Sequence, residues 1–198
     1  IVPSSFFFFF FQVGLNHYEA SRPLEHIGLD AQRKVAQGAQ KNVLIFVVGE
    51  TTRAQNWGLN PNAPKTTPQL AAMPEVINYP EVVSCGTSTA VSVPCMFSKM
   101  GHADYNERVA RHQEGLLDIL QRAGLYVSWK DNDGGCKGVC DRVKNMRIIE
   151  TANPKECKDG LCYDRTLLEH LQEEIASMPN DGVIVLHTVG SHGPAYYE

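Results

Sequence analysis

Residues 43–53 read Val43-Leu44-Ile45-Phe46-Val47-Val48-Gly49-Glu50-Thr51-Thr52-Arg53. The first part is an unbroken apolar run rich in β-branched side chains. A run without polar alternation suits a strand buried on both faces, as in a parallel sheet. Val183-Ile184-Val185-Leu186 has the same character, with His187 at its carboxyl end. Leu125–Trp129 reads as a further strand, and Val76–Val83 as another that Pro80 weakens. Helices separate these runs. One should begin near Ser88 and continue to Phe97 or Ser98 despite Pro94. Leu116, Ile119, Leu120 and Ala123 fall on one helical face, with Gly124 as the stop. Leu168, Leu171 and Ile175 mark another helix. Asn60–Pro68 and Asp131–Val139 read as loops. Strands alternating with helices predict an α/β fold with a mainly parallel sheet flanked by helices.

Residues 1–41 read as a membrane-proximal linker or remnant, with a short helical piece around Leu29–Ala39. Residues 42–198 read as the N-terminal part of a larger catalytic domain. The chain has 198 residues, 43% of them hydrophobic and 20% charged, which excludes a wholly disordered or fibrous protein. The net charge of −4 and the lack of any Lys/Arg block disfavour a nucleic-acid binder. No stretch reaches the roughly 18 apolar residues a membrane-spanning helix needs. The run Phe6–Phe11 is too short to span a bilayer. It reads as an artefact of a truncated end or the stub of a membrane-adjacent segment. No basic n-region or small-residue cleavage site marks a signal peptide, and the chain is expected to be a fragment.

The six cysteines form three local couples: Cys85 with Cys95, Cys136 with Cys140, Cys157 with Cys162. Local disulfides would place the protein in an oxidising compartment. Cys136, Cys140, Cys157 and Cys162 could alternatively make a four-thiolate zinc ribbon. Sequence spacing alone leaves both open.

In open α/β sheets the ligand site lies outside the carboxyl ends of the strands. Glu50, Asp131–Asp133, His187 and His192 sit at such ends. An ionised Glu directly after a buried strand calls for a cation partner or a metal. Cys85-Gly86-Thr87-Ser88-Thr89-Ala90 places hydroxyls at the start of a helix, where backbone N–H groups and the helix dipole favour an anion. A hydroxyl there can attack phosphorus if a metal lowers its pKa, although Ser and Thr also serve as plain caps. Gly190-Ser191-His192-Gly193-Pro194 puts a His in a loop after a buried strand. Lys137 could supply a cation for a phosphate.

Taken together, Val47–Arg53, Ser84–Ala90, Ser92–Phe97 and Gly190–Pro194 resemble the phosphoethanolamine–lipid A transferases, including the mobile colistin-resistance enzymes. The resemblance covers about residues 42–198. It implies an alkaline-phosphatase/sulfatase-like domain on the periplasmic face of a bacterial inner membrane, anchored through a domain absent from this chain. It implies a zinc-dependent enzyme that moves phosphoethanolamine from phosphatidylethanolamine to lipid A, giving polymyxin and colistin resistance. By position, Glu50 matches a zinc ligand and Thr89 the nucleophile and a second ligand. Lys137 and His192 match groups around the substrate phosphate. Asp133 is expected with them as a substrate-binding residue, at a position where some members carry Asn. The three Cys couples fit the family's disulfides, which turns the cysteines away from a zinc ribbon. A monomer is expected.

Catalytic zinc normally has three protein ligands. The family's Asp-His metal pair and a further His are expected beyond Glu198. Two rivals stand beside this reading. One is a phosphodiester or sulfate-ester hydrolase of the same superfamily, with water as acceptor. The other is a disulfide-stapled binding module without chemistry.

Overall fold

The computed structural model describes residues 22–34, 40–149, 155–158, 161–190 and 192. Its centre is a parallel sheet of four strands, β1 (Val43–Val48), β2 (Tyr126–Asp131), β3 (Asn145–Ile148) and β6 (Gly182–His187), in the order β1-β6-β2-β3. Two short strands, β4 (Cys157–Lys158) and β5 (Leu161–Cys162), form a separate antiparallel pair. The helices are α1 (Pro68–Ala71), α2 (Thr89–Phe97), α3 (Glu107–Arg111), α4 (Leu116–Arg122) and α5 (Leu171–Ser177).

The register decides what meets at the carboxyl edge. Val48 lies opposite His187, and His187 lies opposite Asp131. Its two neighbours, β1 and β2, and its two covered faces explain why every residue of β6 is buried. Side chains of a strand alternate between faces. Accordingly Val183 and Val185 join one core with Val48, Val127, Trp129, Phe97 and Leu117. Ile184 and Leu186 join a second core with Leu167 and Met178, against which Leu171 and Ile175 of α5 pack. The sheet is thus covered on one face by α2 and α4 and on the other by α5. An ion pair reinforces the second face. Lys130 Nζ lies 3.0 Å from Glu174, and Tyr126 Oη donates to the same carboxylate at 3.1 Å.

All three Cys couples are disulfides. Cys136, Cys140, Cys157 and Cys162 therefore have no thiolates to offer, and the four-thiolate zinc ribbon is ruled out.

Other expectations need correction. β1 is not buried on both faces. Among the described residues it pairs with β6 alone, and Leu44 and Val47 are 56% and 58% exposed. Val76–Val83 is not a strand. It is an irregular exposed segment that Asn78 fastens, by accepting from Trp57 Nε1 and donating to Leu59 and Asn60. On α4 the buried leucine is Leu117, while Leu116 is exposed. Residues 29–34 hold no helix, and 35–39 lie outside the described residues, as does the Phe6–Phe11 run.

Residues 22–34 are fastened to the domain. Glu25 exchanges backbone hydrogen bonds with His112 and Glu114. The buried Glu114 carboxylate accepts from His26 and from the Ile27 N–H, and pairs with Arg122. Among the described residues no helix is long and apolar enough to cross a membrane.

Candidate functional site

Glu50 stands two residues past β1, half-buried. Its carboxylate accepts from Thr51 Oγ1 at 2.7 Å and from Thr89 Oγ1 at 2.9 Å. Thr51 has a φ of 54°, a left-handed conformation that is costly for a β-branched residue. Thr89 is the first residue of α2. Ser88 precedes it in extended conformation and makes no side-chain cap. The first-turn N–H groups of a helix have no intrahelical acceptors, so the Thr89 hydroxyl sits beside donors suited to an anion. Thr87 is exposed, whereas Thr89 is half-buried. Cys85–Cys95 ties the loop before α2 to the helix itself.

His187 ends β6 and is completely buried. Its Nδ1 lies 2.9 Å from Asp131 Oδ2. An ionised carboxylate can only accept, so Nδ1 donates, and in the neutral imidazole Nε2 then keeps its lone pair. That Nε2 is buried and has no hydrogen-bond partner. It lies 3.7 Å from Asp133 Oδ2.

Asp131 is held by four donors: His187, the Trp129 indole at 2.8 Å, and the N–H groups of Asp133 and Gly135. Burial pushes its pKa up, but these hydrogen bonds outweigh burial and hold it at about 2. Asp133 behaves in the opposite way. Burial raises its pKa, and the neighbouring Glu50 carboxylate adds to the rise against the pull of His187, His192 and Lys137.

Glu50, Asp133 and His187 each offer a ligand atom, and all three atoms lie within 4.8 Å of one another. Two carboxylates repel, and an orphaned imidazole nitrogen aims at the same spot. A divalent cation answers both features, and N/O donors of this kind suit zinc. The Asp131–His187 hydrogen bond is the outer support a metal-bound imidazole uses. The residues present therefore fit a metal.

Of the residues singled out from sequence, Glu50, Thr89 and Asp133 converge. Lys137 and His192 are exposed at the rim. Lys137 also lines a cavity of about 470 Å³ that runs beside α2 past Ala90, Pro94 and Phe97. His187 and its partner Asp131 stood at strand ends in the sequence but were given no role. Their signal is the strand register, which puts them side by side.

Residues 42–198 match the family described as Sulfatase. The chain belongs to the sulfatase family. Within it the likeness is to phosphoethanolamine transferases. Phosphoethanolamine transferase EptA of Escherichia coli strain K12 is 52% identical over 180 residues, covering 90% of this chain and 33% of that protein. Phosphatidylethanolamine transferase Mcr-2 of Escherichia coli is 37% identical over 194 residues, covering 93% of this chain and 36% of that protein. The integral membrane lipooligosaccharide phosphoethanolamine transferase A of Neisseria meningitidis superposes with a TM-score of 0.86 at 44% identity. That match covers 100% of this chain and 37% of the other. The chain thus spans about a third of the length of the relatives it matches.

Proposed function

We propose that this chain is the N-terminal part of the catalytic domain of a zinc-dependent phosphoethanolamine transferase. The protein it belongs to works at the periplasmic face of a bacterial inner membrane. It takes phosphoethanolamine from phosphatidylethanolamine and places it on lipid A. One observation carries this reading: a helix-initial hydroxyl, Thr89, bonded to a strand-end carboxylate, Glu50, beside Asp133 and the free Nε2 of His187.

Glu50, Asp133 and His187 would hold a zinc ion with the Thr89 hydroxyl beside it. When bound, zinc lowers the pKa of that hydroxyl and offsets charge on a phosphate. Thr89 Oγ1 bonds to phosphorus while the bond from phosphorus to the diacylglycerol oxygen breaks. The proton lost by Thr89 leaves with diacylglycerol. A hydroxyl oxygen of a lipid A phosphate then bonds to the same phosphorus, the threonine–phosphorus bond breaks, and the proton lost by that phosphate hydroxyl returns to Thr89. Lys137 and His192, which also act on Asp133, would offset charge on the phosphoryl oxygens. The α2 N-terminus adds backbone donors. Each transfer adds an ammonium to lipid A, which weakens attraction for cationic polymyxins such as colistin.

The family match favours a second reading, a hydrolase that passes the group to water. Labelled phosphatidylethanolamine separates the two. Label that arrives on Thr89 and moves to added lipid A supports the transferase. Label released as free phosphoethanolamine with lipid A present supports the hydrolase.

A further inference from the structure

Asp164 stands outside the cluster of Glu50, Asp133 and His187, just past β5, yet it touches the ends of two of the strands that build it. Its Oδ1 accepts from the Val189 N–H at 2.8 Å, and its Oδ2 accepts from the Gly190 N–H at 3.0 Å. The same Oδ1 accepts from Asn132 Nδ2 at 2.9 Å. Asn132 follows β2, and its backbone N–H donates to His187 O at 3.0 Å. Its side chain also donates to Cys162 O, at the disulfide of the β4–β5 pair.

The segment that leaves β6 is therefore gripped from two sides. On the inner side, the backbone and hydroxyl of Thr188 both donate to Val48 O at 3.0 Å. Gly190 then presses on the β1 end so closely that a Cβ there would lie 2.7 Å from Glu50 O. Its φ of 50° adds a second reason for glycine. On the outer side stands Asp164. A carboxylate that accepts three hydrogen bonds fixes the groups that donate them, since charge-assisted bonds are the stronger kind.

We propose that Asp164 is a positioning residue for the reaction described above. It locks the ends of β2 and β6 together and holds Gly190 against the backbone of Glu50. It thereby sets the separation of Asp133, His187 and Glu50. Through Asn132 the lock also reaches Cys162 O, at the Cys157–Cys162 disulfide. The assignment of a reaction to Asp164 rests on the transferase reading; the lock itself does not.

The test uses Asp164→Ala, Asp164→Asn and Gly190→Ala in the full chain. Asn keeps one acceptor oxygen but turns N–H donors towards the other amide. It serves if the Ala variant does not fold. Amide exchange at Val189 and Gly190 should accelerate at least tenfold in Asp164→Ala and by less in Asp164→Asn. Exchange within β6, at Val185 for example, should stay as it was. Zinc affinity should fall about tenfold, as for loss of an outer-shell support. In protein of the relatives' full length, kcat for transfer should fall by a similar factor with the donor KM little changed. Gly190→Ala should lower zinc affinity with the Asp164 carboxylate intact. Unchanged exchange at Val189 and Gly190 in Asp164→Ala would overturn the lock. Faster exchange with unchanged zinc affinity in both Asp164 variants would overturn its role in the site. A parent protein that transfers nothing would count against the proposed reaction, while exchange and zinc titration still judge the lock.

Discussion

His187 and Asp131 occupy facing positions on β6 and β2, and their side chains meet at 2.9 Å with neither exposed to solvent. The pair fixes which imidazole nitrogen is left bare. Asp131→Asn keeps the shape but removes the charge that holds the proton on Nδ1. We expect the variant to fold and to bind zinc about 10- to 100-fold more weakly, measured by competition with a chelator. Unchanged affinity would show that Nε2 of His187 is not a ligand.

The same carboxylate makes stability depend on acid. Its pKa is about 2 in the folded protein against an ordinary 3.8. A lowered folded pKa contributes stability that is present above the unfolded value and lost as pH falls through the folded one. The contribution is about 2 kcal/mol, and it should vanish between roughly pH 4 and pH 2. Acid titration followed by circular dichroism should show the slope in the parent protein and lose it in Asp131→Asn.

Thr89→Ala should abolish transfer in protein of the relatives' length, because the covalent route disappears with the hydroxyl. Thr87→Ala should retain activity, since Thr87 is exposed and Thr89 makes the hydrogen bond to Glu50. Mass mapping after incubation with labelled phosphatidylethanolamine decides it. An adduct on Thr87 or Ser88 would sink the assignment.

β1 and β6 were legible as continuous apolar runs and β2 as Leu125–Trp129, whereas β3, short, exposed and half polar, carried no strand signal. The start of α2 near Ser88 was legible as well. Val76–Val83 misled because its β-branched residues look like a strand, but no neighbour offers it a ladder. The face of α4 slipped by one residue because Leu116 and Leu117 fit a helical period equally well, and only packing against Phe97 and Val127 chooses Leu117. Glu50 and Thr89 carried local signals, an acid after a buried strand and a hydroxyl at a helix start. His187 carried only its place at the carboxyl end of a buried strand. It became a site residue through register with Asp131, which lies 56 positions earlier in the chain.

Glu114 fastens residues 25–27 to the loop between α3 and α4. Burial raises its pKa, but hydrogen bonds from His26, Arg122 and the Ile27 N–H win and bring it to about 2. Glu114→Gln should free the segment around Glu25–Ile27, seen as faster amide exchange there, while exchange in β2 and β6 stays unchanged. The effect should also appear in the parent protein as pH drops from about 4.5 towards 2, where Glu114 takes up its proton.

Removing the Cys85–Cys95 bridge by double substitution to Ser should cost about 3 kcal/mol on the chain-entropy account of a loop this length. Urea unfolding of the two proteins measures it. All six Cys should appear as disulfide-linked peptides in unreduced digests, paired as in the structure.

The rings of Phe46, Phe97, Trp129 and His187 follow one another at centroid separations of 5.6, 5.6 and 5.5 Å. Trp129 is wholly shielded, and its indole N–H shares the Asp131 oxygen with His187. The molecule therefore carries its own optical gauge of the metal locus. A charge arriving at His187 acts on an indole one ring away, so emission from Trp129 should change in colour and yield as cation binds. Trp57, the other indole, bonds to Asn78 and stands as an internal reference. A Trp57→Phe protein would report occupancy by fluorescence alone, with no label and no turnover.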